Sequence, residues 1–260
     1  MISVALGLIV GLILALTGAG GTIIAVPLLM FTLHLDVAHA APIALAAVFV
    51  AAATGTLLGL REGIVRYRAA GLMAAIGAPF APLGVWLAHR IAPLPLNLLF
   101  IAVLLYVALR MFREHDGDAP VSPPCRRDPL SGRLHWTWRC FTHLGSAGAT
   151  AGLLSGLLGV GGGFVIVPAL RRTTDLTMQA IVASSLMTMT LVSATALAAT
   201  AYAGHLDLRA APAFAIATLA GMLLGRRIAN RIDGRRLQQG FAAILALIAV
   251  GMSARLLLAP

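Results

Sequence analysis

The sequence predicts an all-α polytopic membrane protein made of two inverted repeats, each a glycine-broken re-entrant hairpin followed by three transmembrane helices. Composition, a repeated glycine cluster and the placement of arginine lead there. Of 260 residues, 60% are hydrophobic and 11% charged, with mean hydropathy +0.94. Soluble domains carry about 25% charged residues, and a chain this poor in them has no polar surface to offer water. Apolar runs of about 20 residues, enough to cross roughly 30 Å of hydrocarbon, recur along the chain. They fall at 2–33, 38–60, 69–90, 94–112, 141–170, 178–203, 209–225 and 237–258.

The first run contains Gly18-Ala19-Gly20-Gly21 and continues to Val26-Pro27. The fifth contains Gly159-Val160-Gly161-Gly162-Gly163 and continues to Val167-Pro168. At this offset of 141 residues, Gly7, Gly11, Leu12, Leu16 and Leu29 also recur, and weaker matches run on through Thr54 with Thr195 to Gly84 with Gly225. The first run resembles a signal peptide in its small residues near Ala19. It lacks a positive start, however, and its pattern returns mid-chain, so it is read as structure.

Arginine decides between two topologies. All 19 basic residues are Arg, for a formal charge of +10. They sit at segment ends and not on an amphipathic face, which argues against nucleic acid and for the marking of a cytoplasmic side. If all eight segments cross, Arg divides 11 against 8 between the two sides. If the two glycine-broken segments enter and leave by the same face, only Arg90, Arg209 and Arg255 remain on the minority side, against 16. The second arrangement obeys the positive-inside rule better. It leaves three full spans per repeat, so the halves are inverted. Each broken segment is then expected to form two half-helices of roughly 14 residues, with a single kinked helix as the alternative.

The domains are therefore a first repeat at 1–112, a cytoplasmic linker at 113–140 and a second repeat at 141–260. The linker is polar and Pro-rich, and Trp136 and Trp138 beside Arg139 look like interfacial anchors. Cys125 and Cys140 are expected to be unpaired thiols, because that side is reducing and they lack metal-ligand spacing.

Breaking helices at the glycines frees N–H groups at membrane depth, where each must face protein, water or ligand. The helices that restart near Thr22 and Phe164 aim positive dipole ends at the break, which suits an anion without a buried Arg. Candidate substrate-binding residues are Gly20, Gly21, Thr22, Ser155, Gly161, Gly162, Gly163, Ser184 and Ser185. Gly7 and Gly11, at G-x-x-x-G spacing, instead fit helix packing. Other intramembrane hydroxyls are Thr17, Thr188, Thr190, Ser193 and Thr195. Such groups commonly bond back to their own carbonyls. The acidic residues fall in loops or at segment ends, and His34, His39, His89 and His205 lie near interfaces, so no proton or sodium carrier, metal or cofactor is visible.

Two repeats that each open with G-x-G-G in a broken helix followed by Val-Pro resemble the TauE/SafE sulfite exporters over nearly the whole chain. The resemblance implies transport of sulfite, sulfoacetate or related organosulfonates across a bacterial inner membrane, with no catalysis. A homodimer is among the assemblies to expect. Thr22 stands where the second copy has Gly163, so the halves should contribute unequally. A permease or channel for another small anion is the nearest alternative. An intramembrane serine enzyme lacks G-x-S-x-G and a mid-span His, and a redox protein would need cysteines within the spans.

Overall fold

The computed structural model describes residues 2–18, 20–33, 36–113, 125, 137–204, 211–229 and 234–258. Ala19, the 113–140 linker apart from its ends and Cys125, Trp136, and the loop carrying His205, Asp207 and Arg209 lie outside them. Ten helices form among the described residues. They are α1 (Ile2–Thr17), α2 (Gly20–Leu33), α3 (Val37–Arg61), α4 (Tyr67–Arg90), α5 (Pro93–Arg113), α6 (Trp138–Leu158), α7 (Gly163–Thr173), α8 (Met178–Tyr202), α9 (Ala211–Ala229) and α10 (Gly234–Leu258). Helix is the secondary structure that satisfies backbone polar groups within one segment, as hydrocarbon requires. Among the described residues, α3, α4, α5 and α8 contain stretches long and apolar enough to cross a membrane. The chain is an all-helical, multi-pass membrane protein. Its lipid-facing sides are strongly apolar: Leu98, Leu105 and Leu109 of α5, Ile216 and Leu224 of α9, and Leu247 and Val250 of α10 are all exposed.

Both glycine-broken segments divide in two. Gly18 (φ +68°) and Gly159 (φ +72°) end α1 and α6 in the left-handed conformation that glycine adopts without penalty. Their N–H groups donate to Leu14 O (2.8 Å) and Ser155 O (2.9 Å). The chain then folds back. A Cβ on Gly21 would strike Val10 O and lie 2.6 Å from Leu14 N, and one on Gly162 would lie 2.6 Å from Ala151 O. In a continuous helix, residues 10 and 21 would be about 16 Å apart along the axis, so neither segment is a kinked rod. The first pair is close to the expected 14-residue halves, with 16 and 14 residues in α1 and α2, while the second departs from it, with 21 and 11 in α6 and α7. The second pair is uneven because α6 already begins at Trp138 and because Gly161 and Gly162 (φ +70° and +71°) stay unwound, so that α7 begins only at Gly163.

The halves grip each other reciprocally. A Cβ on Gly7 would lie 2.8 Å from Phe214 O of α9, and on Gly148 would strike Met73 O of α4; these four residues are related by 141 positions. Gly11 against Thr218 O is matched by Gly152 against Gly77 O, and Gly225 against Leu12 O by Gly84 against Leu153 O. Helices α1 and α9 thus run parallel, as do α4 and α6, with glycines letting their backbones meet. Between α3 and α8, Gly55 faces Leu186 and Gly59 faces Ala183, so these two run antiparallel. The hairpin tips cross over as well: Gly18 rests on Val182 of α8, and Gly159 on Ala41 of α3.

One end of the bundle gathers the end of α3, the start of α4 and the end of α9. There Arg226 Nη2 donates to Glu62 Oε2 (2.6 Å), and Nη1 to Gly55 O (3.0 Å). Cys125 and Cys140 form a disulfide, which corrects the expectation of free thiols. That expectation weighed compartment and not geometry. Cys125 N–H donates to Thr173 O (2.9 Å) and pairs beside Thr174, which brings the linker back to the end of α7. The two Cα atoms come within 5.1 Å.

Candidate functional site

The second break lies at the centre of the bundle. A Cβ on Gly161 would sit 3.0 Å from Val48 Cγ1, 3.4 Å from Met189 Cε and 3.4 Å from Ser193 Oγ. Val48 and Met189 are equivalent positions, each twelve residues into a 25-residue helix, α3 and α8. Gly161 therefore lies midway along both central helices, between symmetry-related side chains. After α6 ends at Gly159, Val160, Gly161 and Gly162 run back along α6 to the start of α7 at the level of Ala151.

That path leaves donors without acceptors. Among the described residues, no hydrogen bond is donated by the N–H groups of Val160, Gly161 or Gly162. All three residues are buried. They precede α7, whose dipole adds partial positive charge at the same point. An unpaired buried N–H costs several kcal/mol in hydrocarbon, so a strip of them has the capacity to receive an acceptor group.

Two hydroxyls share this state. Ser155 and Ser193 are fully buried, and the Oγ of each lacks a hydrogen-bond partner. Ser155 lies on α6 one turn from Ala151, the residue Gly162 packs against, and so on the face that α7 covers. Ser193 faces Gly161 directly. Ser193 is one of the intramembrane hydroxyls visible in the sequence, though not one of its candidate binding residues. Only the fold brings it there.

The other candidates are placed differently. Gly163 opens α7 at the edge of the donor strip. Gly20 and Gly21 open α2, with Gly21 pressed on α1 at Val10 and Leu14. Thr22 is fully buried and hydrogen-bonded. Ser184 Oγ accepts from Arg66 N–H (2.9 Å) ahead of α4, and Ser185 Oγ donates to Gly18 O (3.0 Å) and Val182 O (2.8 Å). Both serines therefore join the halves. Thr54 and Thr195 bond back to Val50 O and Val192 O, and Thr188 Oγ1 reaches Ala70 O (3.3 Å) and Ser184 O (3.2 Å). Among the described residues, every buried polar side chain is a Ser or Thr. No group of metal-ligating side chains is found among them.

The ten described helices, with two glycine breaks and a buried donor strip, fit a polytopic membrane protein. The sequence pattern of the family described as "Sulfite exporter TauE/SafE" matches residues 3–252. The chain belongs to that family, whose members are membrane transporters. It is similar to a "Probable membrane transporter protein" of Xylella fastidiosa strain Temecula1, with 30% identity over 256 residues, covering 96% of this chain and 93% of the relative. A protein of the same description from strain 9a5c is 32% identical over 257 residues, with the same coverage. No solved structure matches the chain.

Proposed function

We propose that this protein transports small sulfur-containing anions, such as sulfite or organosulfonates, across the bacterial inner membrane by alternating access around its two broken helices. The observation that carries the reading is the unpaired N–H strip of Val160, Gly161 and Gly162 ahead of α7. It offers an oxyanion several convergent donors and a helix dipole without a buried cation, which suits cargo that must be released again.

The reciprocal contacts at an offset of 141 and the antiparallel α3 and α8 support two inverted repeats, 1–112 and 141–260, related by an axis near Gly161. Rocking of one repeat against the other would expose the strip alternately to the two sides. The Arg-rich end, with Arg66, Arg139, Arg171 and Arg226, then faces the cytoplasm. An anion leaving a negative-inside cell gains about 2.3 kcal/mol per charge per 100 mV, so export needs no coupling ion.

Proteoliposomes preloaded at pH 6 with labelled hydrogen sulfite or methanesulfonate test this. Saturable efflux that is accelerated by external unlabelled substrate is expected. Efflux no faster than from protein-free vesicles would overturn the reading.

A further inference from the structure

Ser193 and Ser155 carry an asymmetry that bears on what the site accepts. At their equivalents the first repeat has Ala52 and Leu14. Two consecutive glycines with φ near +70°, Gly161 and Gly162, lie between Gly159 and α7 at the second break. The unpartnered hydroxyls around Gly161 therefore come from one repeat, while the first repeat contributes Val48.

Charge is the second half of the argument. The residues meeting Gly161 are Val48, Met189 and Ser193, all neutral. Among the described residues no charged side chain is buried. The cost of carrying an ion into a low-dielectric interior grows with the square of its charge, whereas attraction to fixed dipoles grows only in proportion. A site built from hydroxyls and N–H groups thus favours one negative charge over two.

We propose that the site is one-sided and selective for a singly charged oxyanion, with Ser193 donating its hydroxyl to a bound oxygen and Ser155 as a second donor; this rests on the anion-transport reading above. Ser193 Oγ is fully buried, unpartnered and turned toward Gly161 at the start of an 11-residue helix. Removing a hydroxyl that has no partner in the protein costs the resting fold nothing, whereas removing a hydrogen bond to a charged ligand costs affinity.

The test is flux into proteoliposomes of two monoanions, methanesulfonate and, at pH 6, hydrogen sulfite, against two dianions, sulfate and thiosulfate. Wild-type protein, Ser193→Ala and Ser155→Ala are compared, with melting temperatures measured in detergent. Monoanion flux at least about tenfold above dianion flux is expected. Ser193→Ala should lower monoanion kcat/KM by about ten- to a hundredfold, with no fall in ligand-free melting temperature. Dianion flux equal to monoanion flux would overturn the charge selectivity. Unchanged kinetics in Ser193→Ala, or an equal loss of kinetics and stability, would overturn the donor role while leaving anion transport standing. If wild-type protein moves no anion of either class, the transport reading falls and this inference with it.

Discussion

Ser185 and Ser193 lie two turns apart on α8, and each buries a hydroxyl completely. Ser185 shares its hydrogen between Val182 O of its own helix and Gly18 O at the tip of the first hairpin, whereas Ser193 meets no acceptor. Ser185→Ala should cost about 1 kcal/mol in unfolding equilibria and lower the melting temperature, where Ser193→Ala should not. From the sequence the two serines are alike, because which hydroxyl lacks a partner depends on backbone arriving from another repeat. The glycine motif was legible at this scale; its division of labour was not. Gly21 permits close packing, while Gly161 holds φ +70° facing Val48. Gly161→Ala forces an L-residue into the left-handed region, at about 1–3 kcal/mol, and pushes a methyl toward Val48. Substrate flux should fall sharply in a protein that still inserts, as read by flux assay and size-exclusion profile.

The elements show why the two breaks were legible as breaks but not in their lengths. A glycine run marks where a helix ends, yet residues 160–162 are unwound because α7 docks at Ala151, a tertiary fact. The G-x-x-x-G spacing of Gly7 and Gly11 announced helix packing, and the fold supplies the partner, α9. On the equivalent face of α6, Gly152→Leu would drive a side chain into Gly77 O of α4. Overpacking of this kind costs typically about 1–3 kcal/mol, with the loss read as a lower melting temperature. Cys125 and Cys140 were misjudged because the linker's return to Thr173 has no signature in its composition. Their disulfide closes a loop of 15 residues and should contribute about 3 kcal/mol by the chain-entropy estimate. Cys125→Ser should therefore lower stability by a similar amount, seen as a drop in melting temperature that reductant reproduces in the wild type.

At the scale of the whole molecule, composition and Arg placement sufficed for a multi-pass helical membrane protein, since hydrocarbon permits few alternatives. The 141-residue offset reappears as reciprocal contacts between helices distant in sequence, so the repeat is a property of packing as well as of residue identity. The candidate site was less legible, because the unpartnered groups of α6, α7 and α8 meet only in the fold around Gly161. The central claim is that an anion binds there, midway along α3 and α8. The most direct test is anomalous diffraction from crystals grown with bromomethanesulfonate, a monoanion carrying its own scatterer. A bromine peak within a few ångströms of Gly161, with sulfonate oxygens on the N–H groups of residues 160–162, is the expected result. Peaks confined to the Arg-rich end, with none near Gly161 at saturating ligand, would contradict it.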